Sequence, residues 1–349
     1  VSGSDTSFYP PMGPALARWG VSLREGFSPE HLEPRPDLVV IGNVCRANNP
    51  EARAAIDGGM RYASMAHALA EHVLEPGFLI GGIVKRFDES FRVPGPRKLD
   101  VRGQGGRRTP FVVEGDEYDT AFFEKTPKFW HYRPEVGILT SVEHDHIDIY
   151  PDEASYHAAF AGFVERIPES GLLVAAGESP AVVAQARRAR SEVVYYALSD
   201  DELDVPPHYQ AAVADVGPAG TVFDLFVGGV LAGRGRLRVP GRHNLRNAIA
   251  AIAACAHGFG ADLKLLLASI ERFEGVKRRQ ELLYEVAGIS VYDDFAHHPT
   301  AVRETIAAMR AKHPEGKLFA VFEPRSATAC RGLHKAAYAE EFDDDWVVV

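Results

Sequence analysis

An α/β chain built on parallel sheets is the fold the sequence predicts, and three observations carry it. Short apolar runs recur along the chain, most are followed by a polar loop and a segment of helical apolar spacing, and clusters of ionisable residues stand directly behind the runs. Strands that alternate with helices imply parallel sheets covered on both faces, and in such sheets ligands sit outside the carboxyl ends of the strands. A length of 349 residues with 46% hydrophobic content is enough for two or three domains.

Taken in order, "DLVVIG" predicts a strand leading through "NVCRANN" to the helix "PEARAAIDGG", which opens on Pro50 and closes on glycines. Residues 88–110, "DESFRVPGPRKLDVRGQGGRRTP", are rich in Gly, Pro and Arg without apolar periodicity and predict a mobile surface loop. "PFVVE" is the next strand, ending at Glu114 and "GDEYD". "VGILTSV" follows, then the cluster Glu143, His144, Asp145, His146 and Asp148, then the helix "PDEASYHAAFAGFVERI". Around Gly228 and Gly229 the alternation of "TVFDLFVGGVLAGRGRLRV" predicts an antiparallel hairpin. It runs into the Ala-rich helix "PGRHNLRNAIAAIAACAHG", stopped by Gly258. "ISVYDD" leads through "FAHH" to a helix opening on Pro299, and "KLFAVF" to "EPRS"; no internal repeat is visible.

A formal charge of −10 argues against a nonspecific nucleic-acid binder, whose affinity comes from basic patches that release counterions. Cys45, Cys255 and Cys330 are too scattered for a disulfide framework or a C-x-x-C motif, which points to a reducing cytoplasm. No apolar stretch approaches the roughly 18 residues that span a bilayer, and nothing resembles a signal peptide, so a protein without a membrane partner is expected.

The polar clusters each admit more than one chemistry. Residues 143–148 suit a divalent-metal site, a general acid/base site or a solvated loop. If strands "PFVVE" and "VGILTSV" are neighbours, Glu114 and His146 share a sheet edge; carboxylate oxygen suits magnesium, whereas His144 with His146 suits zinc. "DDFAHHPT" reads as a helix start electrostatically favoured by Asp293 and Asp294, or as a phosphate and ribose environment. Arg325 offers a fork for a carboxylate or is a surface arginine. Asn244 and Asn247 cap a helix start or read a purine edge.

In their order, "GSDTSFYPPM", "DLVVIGNVCRANNPE", "VVEGDEYDTAFFEK", "HYRPEVGILTSVEHDHIDIY", "PGRHNLRNAIAAIAA", "VKRRQELLYEVAGISVYDDFAHHPTAV" and "FEPRSATA" resemble the Mur ligases over nearly the whole chain. The resemblance implies a three-domain architecture: a Rossmann-like UDP-sugar domain (1–76), a central mononucleotide-binding ATPase domain (77–276) and a Rossmann-like C-terminal domain (277–349). It implies a ligase in which ATP phosphorylates the muramoyl carboxylate of UDP-N-acetylmuramate and a peptide amine displaces phosphate. Poor electrophilicity of the carboxylate explains the need for ATP, and charge neutralisation explains the need for Mg2+. By resemblance Glu114 and His146 hold Mg2+ and act in catalysis with Arg279, while Glu143, His144 and Asp148 shape the loop. Asn244, Asn247, Arg279, Asp294 and His297 surround ATP, and Ser4, Asp5, Asn43 and Asn49 face the UDP-sugar.

Within the family, "YPPM" and "FEPRSATA" resemble the branch that attaches L-Ala-γ-D-Glu-meso-diaminopimelate in peptidoglycan recycling, with Arg325 and Ser326 on the substrate side. The runner-up is the branch that attaches L-alanine, which usually reads closer to Gln-Pro-His-Arg there. From other classes, a metal-dependent hydrolase and a nucleotide-sugar-binding remnant compete. A monomer or weak homo-oligomer is expected. The chain also departs from the family: it starts one strand later, at "VSGSD", and stops as a strand begins in "FDDDWVVV". It carries no phosphate loop ending in G-K-[ST], since "LAEHVLEPGFLIGG" passes directly across its expected place. Ser141 stands where asparagine is common and Gly115 where alanine is.

Overall fold

The computed structural model describes residues 1–8, 12–36, 39–41, 49–57, 62–64, 77–85, 89–92, 99–100, 107–108, 110–121, 123–147, 149–217, 219–323, 335, 337–338, 342 and 346–348. The chain divides into two compact units, Val1–Leu74 with Val113–Arg133, and Glu75–Val112 with Pro134–Val349.

In the first unit the strands Ser2–Asp5 and Ser22–Glu25 pair in parallel, as do Val39–Ile41 and Tyr62–Ser64. The predicted helix spans Pro50–Asp57. Asn49 starts it, its Oδ1 accepting from the N–H groups of Glu51 and Ala52 at 3.0 and 2.9 Å, donors that no helical carbonyl reaches.

The centre of the second unit is a six-stranded sheet in the order Val136–Leu139, Leu172–Ala176, Glu192–Leu198, Tyr209–Gly217, Gly220–Val227 and Val230–Leu237. Its first four strands run parallel. Every residue of "LLVAA" at Leu172–Ala176 is buried, so both faces of that strand are covered, as an unbroken apolar run requires. Helix Pro180–Ala186 packs on this strand, and helix Arg242–Ala253 packs on it and on the next two. Leu245, Ile249 and Ile252 supply the buried stripe of the latter helix. The predicted hairpin turns on Gly228 and Gly229, whose φ values of 57° and 78° satisfy a two-residue turn that demands left-handed backbone at both positions. Tyr209–Gly217, not anticipated, adds a third antiparallel neighbour.

Three expectations need correction. Residues 88–110 are not simply a loop. Glu89–Arg92 pairs antiparallel with Phe78–Val84, and Leu99–Asp100 pairs with Arg107–Arg108. Composition hid these strands because edge pairing is satisfied by backbone groups, whatever the side chains; Arg92 even lies over the Phe78 ring at 5.5 Å. Second, among the described residues Ile289–Asp293 pairs in no parallel sheet and forms a hairpin with Glu281–Val286. Third, the strand before Glu114, Val112–Val113, belongs to a three-stranded sheet with Phe78–Val84 and Glu89–Arg92. The strand before His146 belongs to the six-stranded sheet, so among the described residues the two strands are not sheet neighbours.

Helix Arg242–Ala253 closes in a π-type turn, Ala254–Gly258, where the sequence places its stop. At its other end Gly241 has φ 104°, and a Cβ there would meet His243 Cε1 at 2.6 Å and Ala308 Cβ at 3.1 Å. Gly241→Ala is expected to lose about 1–3 kcal/mol, because it sets a side chain in a conformation that only glycine tolerates. A urea unfolding midpoint equal to that of the unaltered protein would disprove this.

Candidate functional site

Within the second unit, two of the predicted clusters meet. The loop behind Val136–Leu139 carries Glu143, and Glu143 Oε2 accepts a 2.6 Å hydrogen bond from the Thr300 hydroxyl in the first turn of helix Pro299–Lys312. His298 Nδ1 lies 3.6 Å from the same oxygen. The acidic loop and the "DDFAHHPT" loop thus form one polar wall.

His146 sits at the bend of its loop with φ 52°, a left-handed backbone that histidine accepts more readily than a branched residue. Its N–H donates to Asp145 Oδ1 at 2.7 Å, and its carbonyl accepts from Ile149 and Tyr150 at 2.8 and 2.9 Å. The ring is largely buried, with Nε2 3.9 Å from Asp145 Oδ2. His144 donates Nε2–H to the Tyr150 carbonyl at 2.9 Å and packs on Tyr156, a structural task consistent with loop shaping.

Segment 276–281 is unusual. Arg278 and Gln280 both have left-handed backbone, with φ 59° and 49°, and they flank Arg279. Such strain persists only where the surroundings hold it, and it gathers at functional sites. The Arg279 guanidinium is 5.4 Å from the centre of the Phe295 ring, with that of Arg278 at 5.2 Å. Both Asp294 oxygens accept from backbone, Oδ1 from Ala296 at 2.7 Å and Oδ2 from Gln280 at 2.8 Å. His297 Nδ1 donates to the Phe295 carbonyl at 3.1 Å, and Tyr338 donates its hydroxyl proton to the His297 carbonyl. Burial, and after it the charge of Asp145, pushes the Tyr338 phenol up. Asn244, in the first turn of helix Arg242–Ala253, donates Nδ2 to the Pro240 carbonyl at 2.6 Å and to Gln280 Oε1 at 3.2 Å. Asn247 follows at i+3 on the same helix and is exposed.

Two further groups belong to the first unit. Ser4 donates to Glu51 Oε1 at 2.9 Å and lies 3.2 Å from His31 Nδ1, which is itself 3.3 Å from Glu51 Oε2. Asp5 Oδ1 accepts from the Thr6 N–H at 2.6 Å and from its hydroxyl at 3.2 Å. Since Asn49 starts the helix that bears Glu51, three of the four predicted sugar-side residues share one neighbourhood. Glu114 is exposed. Its charge, after burial and Asp116, helps push the Tyr132 phenol up to about 12.

Asn43, Asp148, Arg325 and Ser326 lie outside the described residues. Among the described residues no three His, Cys, Asp or Glu side chains gather closely enough to hold a metal ion, and no helix is long and apolar enough to cross a membrane. Thr300, Tyr338, His31, Glu51 and Gln280 were not singled out by the sequence reading, because each meets its partner from a distant segment.

The arrangement has counterparts among known proteins. Residues 1–75 match "Mur ligase family, catalytic domain", residues 108–255 "Mur ligase middle domain", and residues 278–349 "Mur ligase, glutamate ligase domain". The UDP-N-acetylmuramate–L-alanyl-γ-D-glutamyl-meso-2,6-diaminoheptandioate ligase of Haemophilus influenzae is 32% identical over 96% of this chain and 76% of its own. A UDP-N-acetylmuramate–L-alanine ligase of Kineococcus radiotolerans is 34% identical over 98% of this chain and 73% of its own. The crystal structure of UDP-N-acetylmuramate:L-alanyl-γ-D-glutamyl-meso-diaminopimelate ligase from Neisseria meningitides superposes with a TM-score of 0.68 at 32% identity, covering 80% of this chain and 91% of that one.

Proposed function

Because this chain belongs to the Mur ligase family of ATP-dependent amide ligases, we propose that it joins L-Ala-γ-D-Glu-meso-diaminopimelate to the muramoyl carboxylate of UDP-N-acetylmuramate, in the cytoplasm. The similarity to the Haemophilus influenzae enzyme over 96% of the chain carries this reading. Family membership decides for a ligase over the hydrolase. Three domains, 1–76, 77–276 and 277–349, remain the working division.

The residues around Arg279 suit the nucleotide that the family uses. Asn244 has both Nδ2 protons engaged within the protein and its carbonyl oxygen left for a ligand, while Arg279 offers an exposed guanidinium beside the Phe295 ring. With Asn247, Asp294 and His297 these would hold ATP. Glu114 and His146 would hold Mg2+, which needs few protein ligands because it keeps several waters and takes phosphate oxygens. When bound, Mg2+ neutralises phosphate charge. Asp145 steadies the His146 backbone, and Glu143 ties that loop to Thr300, so both loops keep one spacing. Ser4, Asp5, Asn43 and Asn49 would receive the UDP-sugar, and Arg325 with Ser326 a carboxylate of the tripeptide.

A competition decides the amine. With UDP-N-acetylmuramate, ATP, free L-alanine and the tripeptide in one reaction, mass analysis is expected to show the tripeptide product in excess. Arg325→Ala is expected to reduce tripeptide use about tenfold or more, as loss of a charged hydrogen-bonding partner does, with ATP binding unchanged. Predominance of the single-alanine product would move the chain to the branch of the Kineococcus radiotolerans relative. Absence of ADP formation with either amine would favour a nucleotide-sugar-binding remnant.

A further inference from the structure

Gln280 occupies the middle of a chain of polar contacts that no sequence motif marks. It is 8% exposed, held at φ 49°, and its N–H donates to Asp294. Its side chain reaches back to helix Arg242–Ala253, where Oε1 accepts from Asn244 Nδ2 at 3.2 Å and Nε2 lies 3.4 Å from His243 Nε2. His243 Nδ1 in turn is 3.4 Å from Glu304 Oε2 on helix Pro299–Lys312, a close contact outside hydrogen-bond geometry that lowers the Glu304 carboxyl below its ordinary range.

The direction of the links is set from the Pro240 end. The Pro240 carbonyl only accepts and lies 2.6 Å from Asn244 Nδ2, which fixes that atom as the nitrogen. Nδ2 also donates to Gln280 Oε1, and Gln280 Nε2–H turns to His243 Nε2 as acceptor. Flipping either amide would set donor against donor or oxygen against oxygen. Asn244 Oδ1 is then the one polar atom of this side chain outside the network.

We propose that Gln280 is a positioning residue which locks the Asn244 amide with its carbonyl oxygen outward, so that the site accepts a purine nucleotide with a 6-amino group and rejects a 6-oxo one. The inference rests on Asn244 contacting the nucleotide base. A 6-amino group donates to Oδ1, whereas a 6-oxo group sets two acceptors face to face. Because the amide is held before a ligand arrives, the discrimination costs no reorganisation.

Calorimetric binding of ATP and of ITP, each with magnesium, tests this on the full chain and its variants without recourse to turnover. The unaltered protein is expected to prefer ATP by about tenfold or more, the usual return for pairing a buried polar group rather than leaving it unpaired. Gln280→Met, of similar size but without amide donors or acceptors, is expected to bring the two affinities within about threefold, because Asn244 Nδ2 then keeps only the Pro240 carbonyl as partner. Gln280→Glu keeps an acceptor for Asn244 Nδ2 and is expected to restore the preference. His243→Leu, which removes the acceptor of Gln280 Nε2–H, is expected to narrow it in the same sense and serves should Gln280→Met not fold. A folded Gln280→Met or His243→Leu variant with the full ATP preference overturns the proposal while leaving nucleotide binding intact, as does an unaltered protein that binds both nucleotides alike. An unaltered protein that binds neither overturns the nucleotide reading and this inference together.

Discussion

Replacement of His146 is expected to lower ADP release during ligation by about 10²–10³-fold, the loss typical when one preorganised group that stabilises transition-state charge is removed. The ring lies at a loop bend and not in the sheet core, so the fold is expected to survive. His146→Asn is the informative variant, because asparagine also accepts the left-handed backbone at φ 52° and spares the loop the strain that a branched side chain would add. Glu114→Ala, at an exposed position, is expected to show a loss of similar size. Turnover measured across a magnesium titration, beside thermal unfolding of the same samples, checks both. Unchanged turnover at saturating magnesium would remove these residues from the metal assignment, and stoichiometric zinc in the purified protein would redirect it.

Arg246→Met is expected to destabilise the second unit by about 3 kcal/mol, because it strands carboxylates that have left water. Arg246 bonds Asp201 through Nε at 3.1 Å and again through Nη2, and its Nε is 3.2 Å from Glu178 Oε1. The Asp201 side chain is only 4% exposed, and Glu178 Oε2 is buried without a hydrogen-bond partner among the described residues. Arg242, 3.3 Å from Asp201, keeps part of the compensation, and about a fifth of the Arg246 and Glu178 side chains stays in water, so the lower end of the range for broken buried pairs applies. Urea unfolding of Arg246→Met, Asp201→Asn and the double variant measures it. The double is expected to cost less than the two singles together, and simple additivity would show that the pair is uncoupled.

Burial, opposed by its own backbone N–H and by Arg246, raises the Glu178 carboxyl above its ordinary value of 4.5. Between the unfolded and the raised folded value, the folded chain therefore holds a proton there that the unfolded chain has released. This contribution to stability is present in full below pH 4.5 and is lost as the pH rises through the raised folded value. Without Arg246 that loss is expected to extend to higher pH. A Glu178→Ala variant whose stability falls with pH over the same window would assign the slope to another group.

Local patterns in the sequence determined the secondary structure around the core and the position of the candidate residues along it. "VGILTSV" reads as a strand, Gly228–Gly229 as a tight turn, and Pro50 and Pro299 as helix starts, because these outcomes depend on neighbours within a few residues. The polar residues behind the apolar runs were legible for the same reason. Which of them meet was decided by tertiary structure alone. Glu143 and Thr300 are 157 positions apart, and Gln280 finds Asn244 and His243 across 36 and 37. The strand ahead of Glu114 took its place in a sheet that its own residues do not specify. A backbone hydrogen bond carries no side-chain label, and a polar contact across such distances in sequence is selected by how the layers pack, so neither leaves a periodic trace in the chain.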